Sequence, residues 1–141
     1  MKNTYFQDVQ AAWSARYLPH CQQRLDDDCS NACLRMLAPI NRCALASDFP
    51  TVIPTAEMPL RAAQLGIFLE QQPITHGAFT FGTYLILRNH HWFIIQFRSE
   101  EEVMIHDPFH SIPASRTAHE FNRMAMDNCA AIFRVLWTAM P

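Results

Sequence analysis

His91-Trp92-Phe93-Ile94-Ile95-Gln96-Phe97-Arg98-Ser99-Glu100-Glu101-Glu102-Val103-Met104-Ile105-His106-Asp107 consists of two apolar runs separated by a polar break. Aromatic and β-branched residues suit a pleated, half-buried surface, so 91–98 and 102–107 read as strands. Ser99-Glu100-Glu101 reads as the turn that joins them into a hairpin. Paired residue numbers in such a hairpin sum to about 198–200, which sets His91 opposite Asp107 within one residue. Directly opposed Cβ atoms lie roughly 4.5–5.5 Å apart, so a histidine and a carboxylate meet at the open end of the hairpin. Pro108 has no N–H to give a ladder and ends the strand, which places Asp107 at the sheet rim.

Outward from the hairpin, 83–88 and 130–137 share its composition and read as further strands. The N-terminal half has helical periodicity. Phe6, Val9, Trp13 and Tyr17 recur at three- and four-residue steps, predicting a helix over 5–18 that Pro19 stops. Residues 19–27 are polar and acidic and read as a loop. A second helix starts near Cys29, with Asp27 or Asp28 as N-cap, a buried stripe of Ala32, Cys33, Met36 and Leu37, and Pro39 as its breaker. Residues 39–55 are proline-rich and irregular. A short helix at 57–65 closes at Gly66, and a last helix at about 115–125 precedes the final strand. Helices first and antiparallel strands second is an α+β pattern. No repeat or flexible linker divides the chain, so 1–141 is expected to be a single domain.

The chain has 141 residues, 50% of them hydrophobic and 17% charged, enough for a packed core. A formal net charge of −2 lacks the basic footprint of a nucleic-acid or anionic-membrane partner. The apolar runs fall short of the roughly 18 residues that span a bilayer. Met1 to Phe6 is polar with no apolar stretch after it, so no signal peptide is expected. Five cysteines and no leader argue against a disulfide scaffold and for a reducing, cytoplasmic compartment. No glycine-rich phosphate loop is present. His90 and His91, like His106 and Asp107, are expected on opposite strand faces, and no CxxC or helical HxxxH occurs. Neither metal nor cofactor is therefore expected.

Cys29 is the thiol with chemical promise. A helix N-terminus offers free N–H groups and partial positive charge, both favouring the nucleophilic thiolate. Asp26, Asp27 and Asp28 oppose this, so an active Cys29 needs a cationic partner, and the hairpin supplies His91. A carboxylate on one imidazole nitrogen fixes the tautomer and leaves the other to face the nucleophile. Cys33, Cys43 and Cys129 read as small buried hydrophobes, and Cys21 as an exposed loop residue. Taken alone, a histidine–aspartate pair across a hairpin is more often structural than catalytic.

The stretch Gln23 to Met36, with Asp28-Cys29-Ser30-Asn31-Ala32-Cys33-Leu34-Arg35-Met36 at its centre, resembles the active-site block of the C39 family. These are papain-like cysteine peptidases that cut after double-glycine motifs. His91-Trp92-Phe93-Ile94-Ile95 resembles the family's histidine followed by an apolar strand, and Val103 to Pro108 its strand ending in Asp-Pro. Leu60 to Gly66 and Ser115 to Phe121 resemble its intervening helices. The likeness covers roughly residues 20–137 in family order.

It implies a papain-like fold with Cys29 as nucleophile, His91 as general base and then acid, and Asp107 as the orienting residue. Gln23 is the oxyanion donor it implies; Gln22 is the rival, and the spacing favours Gln23. Ser30 stands where the family usually has glycine, which bears on the space beside the scissile bond. Trp92 is either a wall of the substrate cleft or a core residue.

The resemblance further implies a protein substrate with a Gly-Gly site. Stand-alone domains of this appearance occur in interbacterial toxins that cut cytosolic proteins such as type II topoisomerase subunits and are countered by an immunity protein. Leader-peptide trimming, a catalytically silent Gly-Gly-binding module and another thiol acyl-transfer enzyme are the competing readings.

Overall fold

The computed structural model describes residues 17–24, 28–38, 53–74, 79–122 and 129–138. The expected helix over 5–18 lies outside these residues except for Tyr17 and Leu18, which carry no helix. Cys43 and most of 39–55 lie outside them too.

The first described helix, α1 (Cys29–Leu37), begins where the sequence places it. All nine of its residues are buried. Leu34, Met36 and Leu37 each contribute roughly 1.5–3 kcal/mol by leaving water. Its last turn closes with Ala38 N–H donating to Leu34 O at 2.9 Å, just before Pro39. A 3₁₀ turn (Thr55–Glu57) leads into α2 (Met58–Gln64), and Gly66 at φ 79° ends it in the left-handed region that glycine enters without strain.

Six antiparallel strands follow among the described residues: β1 (Ile67–Gln72), β2 (Gly82–Arg88), β3 (His91–Phe97), β4 (Val103–His106), β5 (Ala114–Arg116) and β6 (Cys129–Thr138). Helix α3 (Ala118–Asn122) lies between β5 and β6. The sheet order is β1-β6-β2-β3-β4-β5. The fold class is α+β, as the sequence predicts. The expected helix at 115–125 starts later, at Ala118, because 114–116 pair with β4 as β5, and residues 123–125 lie outside the described ones. β1 and β5 are edge strands, and a strand paired on one side tolerates the polar Glu70-Gln71-Gln72 and Ser115-Arg116 that hide it from an apolar pattern.

The sheet separates two cores. Leu85, Trp92, Ile94, Ala131, Phe133 and Val135 pack with α1 and Met58 on one side. Tyr84, Ile86, Ile95, Phe97, Val103 and Ile132 pack with Phe121 of α3 on the other. Alternation along β3 sends Trp92 and Ile94 to the α1 core and Ile95 and Phe97 to the opposite one.

The turn between β2 and β3 sets where the site begins. Asn89 and His90 both take positive φ, 52° and 62°, the signature of a two-residue type I′ hairpin. Arg88 therefore pairs with His91, which becomes the first residue of β3. His90 is a turn residue, so the expected alternation of His90 and His91 across a strand does not apply.

Candidate active site

Three elements converge at the start of β3. α1 delivers Cys29 at its first turn, β3 delivers His91, and the rim beyond β4 delivers Asp107. The expected hairpin forms with pairs that sum to 200, the upper end of the expected range, as in Ile94 with His106 and Phe97 with Val103, so His91 and Asp107 are two steps out of direct opposition. Continued to the rim, that register sets Asp107 beside Phe93, one same-face step from His91. The contact is thus diagonal rather than direct, a reach a histidine covers. His91 Nε2 lies 2.6 Å from Asp107 Oδ1. Phe109 N–H donates to the same oxygen at 2.9 Å, so the carboxylate is tied to its own turn as well.

With Nε2 on Asp107, the other face of the imidazole meets the Cys29 thiol, with which it shares a hydrogen bond. The Asp107 and Cys29 hydrogen bonds together raise His91 to about 9, against the opposing effect of burial. Burial pushes the Cys29 thiol up, but His91 and the backbone N–H groups of Trp92 and Ser30 outweigh it, and the thiol lies below its ordinary value. Trp92 N–H donates to Cys29 Sγ at 3.5 Å. Asp107 is also lowered, through His91 and the Phe109 N–H, despite its burial. The three shifts agree in sign: each favours a thiolate, an imidazolium and a carboxylate side by side.

The aspartate before the nucleophile is neutralised differently from the expectation. Asp28 occupies the N-cap position of α1 but its side chain caps nothing. It is fully buried and pairs with Arg35 Nη2 at 3.0 Å, two turns along the same helix. Its Oδ2 also accepts from Arg24 N–H at 3.4 Å. Asp26 and Asp27 lie outside the described residues.

Residues 17–24 run alongside β4, from Tyr17 at Glu102 through His20 at His106 to Gln23 at Pro108. Gln23 N–H donates to Pro108 O at 2.7 Å, which sets Gln23 beside the turn that carries Asp107. Gln22, its rival, is exposed and gives its amide to Phe109 O at 3.3 Å.

Two other sequence-predicted residues sit differently. Trp92 is 4% exposed and its ring stacks on Phe133 at 6.1 Å, so it is a core side chain and meets Cys29 through its backbone alone. Ser30 is 1% exposed, inside the first turn of α1, and likewise faces the thiol through its N–H. The Trp92 ring lies in the α1 core and Ser30 is buried, so neither side chain presents an exposed surface.

The other cysteines divide. Cys33 is fully buried one turn behind Cys29, and burial pushes its thiol well up, which makes it inert. Cys129 is partly exposed. Cys21 is neither exposed nor free: it is buried and disulfide-bonded. That corrects the expectation of an exposed loop thiol at Cys21, which rested on the polar residues around it. Among the described residues no group of three or more His, Cys, Asp or Glu side chains is arranged to hold a metal. No helix among them is long and apolar enough to cross a membrane.

No family model matches the chain, and no curated protein does. Its fold is shared. A crystal structure of a double glycine motif protease from an AMS/PCAT transporter, in complex with the leader peptide, superimposes with a TM-score of 0.54. The match covers 84% of this chain and 92% of that one at 14% identity. The chain therefore has the fold of a double-glycine protease.

Proposed function

We propose that this chain is a papain-like cysteine endopeptidase that cleaves protein substrates after paired glycines. The observation that carries the reading is His91 held between the Cys29 thiol and the Asp107 carboxylate. The shared fold supports it.

In this reading the Cys29 thiolate attacks the carbonyl carbon of the scissile bond and a C–S bond forms. The oxyanion is met by the Gln23 side-chain amide and the N–H at the start of α1, donors that add no charge beside the thiolate. His91 passes its proton to the amide nitrogen and the C–N bond breaks, releasing the C-terminal product. Water then attacks the thioester, its proton goes to His91, and the thiolate is restored. Asp107 keeps the ring oriented and stabilises the imidazolium throughout. Glycine suits a cleft that presses on the substrate backbone, because only glycine lets the chain approach that closely.

The natural target follows one of two lines. The sequence resemblance supports a toxin delivered into the cytoplasm of a neighbouring bacterium, cutting proteins such as type II topoisomerase subunits and held in check by an immunity protein. The leader peptide bound to the structural neighbour supports leader trimming.

A terminal-peptide mass-spectrometry screen decides both. Wild type and Cys29→Ala are added to a bacterial lysate and to a panel of double-glycine leader peptides. New N-termini after Gly-Gly that Cys29→Ala does not produce establish the activity and identify the target. Peptide binding without turnover replaces the reading with a silent Gly-Gly-binding module, and new isopeptide bonds replace it with an acyl transferase.

A further inference from the structure

His20 and His106 form a pair that the reaction does not use. Their Nδ1 atoms lie 3.1 Å apart, and His20 Nε2 lies 2.7 Å from His110 O. A carbonyl only accepts, so His20 carries its proton on Nε2. Its Nδ1 is then a lone pair, and His106 must donate from Nδ1. That leaves His106 Nε2 as an acceptor, buried with no hydrogen-bond partner among the described residues.

The pair sits at a junction. His20 belongs to the segment that carries Gln23, and His106 is the last residue of β4, next to Asp107. Leu18 N–H to Gln96 Oε1 and Gln23 N–H to Pro108 O lie on either side of it.

We propose that His20 and His106 are positioning residues whose neutral pair pins the Gln23 segment to the strand end that carries Asp107, so that oxyanion donor and imidazole–carboxylate pair share one frame. The proposal rests on the peptidase reading for its catalytic consequence, but not for its structural one.

The pair has a built-in acid limit. One proton, whether it adds to His106 Nε2 directly or to His20 Nδ1 with the His106 hydrogen moved across, leaves an N–H at His106 Nε2, where no acceptor waits among the described residues. A second sets two N–H donors against each other at 3.1 Å. Burial, and then the neighbouring His20, hold His106 down to about 4. Of the titratable groups near it, Asp107 faces His91 and His110 meets His20 through its backbone carbonyl, while β3 presents the apolar Ile94 as the cross-strand partner.

Two variants test this by amide hydrogen exchange and by steady-state cleavage of a Gly-Gly peptide. His20→Ala should lower protection of the Gln23 amide by about tenfold while the Ala32 amide of α1 keeps its own. The same variant should lower kcat by about tenfold and leave KM within about twofold. His106→Asn keeps an uncharged N–H near the Nδ1 position. It should retain Gln23 protection and hold it in acid, where wild type loses it. Unchanged Gln23 protection in His20→Ala, or an acid loss in His106→Asn identical to wild type, overturns the proposal. Exchange needs no turnover, so a wild type that cleaves nothing defeats the peptidase reading and still leaves the pinning role decided.

Discussion

Arg35 Nη2 lies 3.0 Å from Asp28 Oδ2, and neither side chain is open to solvent. The pair resolves a conflict in the sequence, where an aspartate directly precedes the thiol that needs to ionise. Removing the cation takes the Arg35 charge away from a buried carboxylate, which costs about 3–5 kcal/mol. Arg35→Met should therefore unfold at markedly lower denaturant than wild type. The surviving protein should react more slowly with iodoacetamide at neutral pH, because a carboxylate that has lost its cation raises the Cys29 thiol. Asp28→Asn with Arg35→Met should recover most of the stability. A double variant as unstable as the single one would show that packing rather than charge is at stake.

The pH dependence follows from the signs of the shifts. Cys29 ionises below its ordinary value and His91 stays protonated to about 9. Thiolate and imidazolium coexist between those limits, so kcat/KM should be bell-shaped with its alkaline limb near the His91 value. Because His91 is raised on folding, its contribution to stability is complete below its ordinary 6.5 and is lost as pH rises through about 9. The Asp107 hydrogen bond is the leading cause of that rise. Asp107→Asn should move the alkaline limb towards acid and lower kcat/KM by on the order of 10²-fold. A limb that stays in place would remove Asp107 from the orienting role.

Two thiols one helical turn apart have opposite fates. Cys29 meets His91 and two backbone N–H groups, whereas Cys33 meets only a core that disfavours charge. In the native protein iodoacetamide should label Cys29 and spare Cys33 until the chain unfolds. Cys29→Ala should abolish cleavage, while Cys33→Ala should cost about 1 kcal/mol of stability and leave cleavage intact. Peptide mapping of the labelled sites, with denaturation curves of both variants, checks this.

The parts of the site legible in the sequence are those that local chemistry dictates. The hairpin at 91–107 is bounded by its polar turn and by Pro108, and Cys29 follows from the start of an amphipathic helix. What escaped depends on register and on distant partners. A shift of two in the pairing sum turns a direct His91–Asp107 contact into a diagonal one without changing which residues meet. Arg35 has no sequence signal that pairs it with Asp28; the fold buries the two together. His20 and His106 are 86 positions apart and share no pattern. β1 and β5 lack apolar alternation because edge strands do not need it.

Trp92 separates a ring role from a backbone role. Its indole stacks on Phe133 in the α1 core, and only its N–H reaches Cys29 Sγ. Trp92→Phe keeps an aromatic in the stack and keeps the N–H, so it should lose about 1–2 kcal/mol of stability and keep kcat/KM within about threefold of wild type. Trp92→Ala opens a cavity beside the helix that carries the nucleophile and should cost about 3–5 kcal/mol. Denaturation and peptide cleavage, measured on the same samples, give both values. A Trp92→Phe variant that folds as well as wild type yet loses cleavage by two orders of magnitude would return the indole to the substrate cleft, because a backbone N–H survives that substitution and a ring contact to substrate does not.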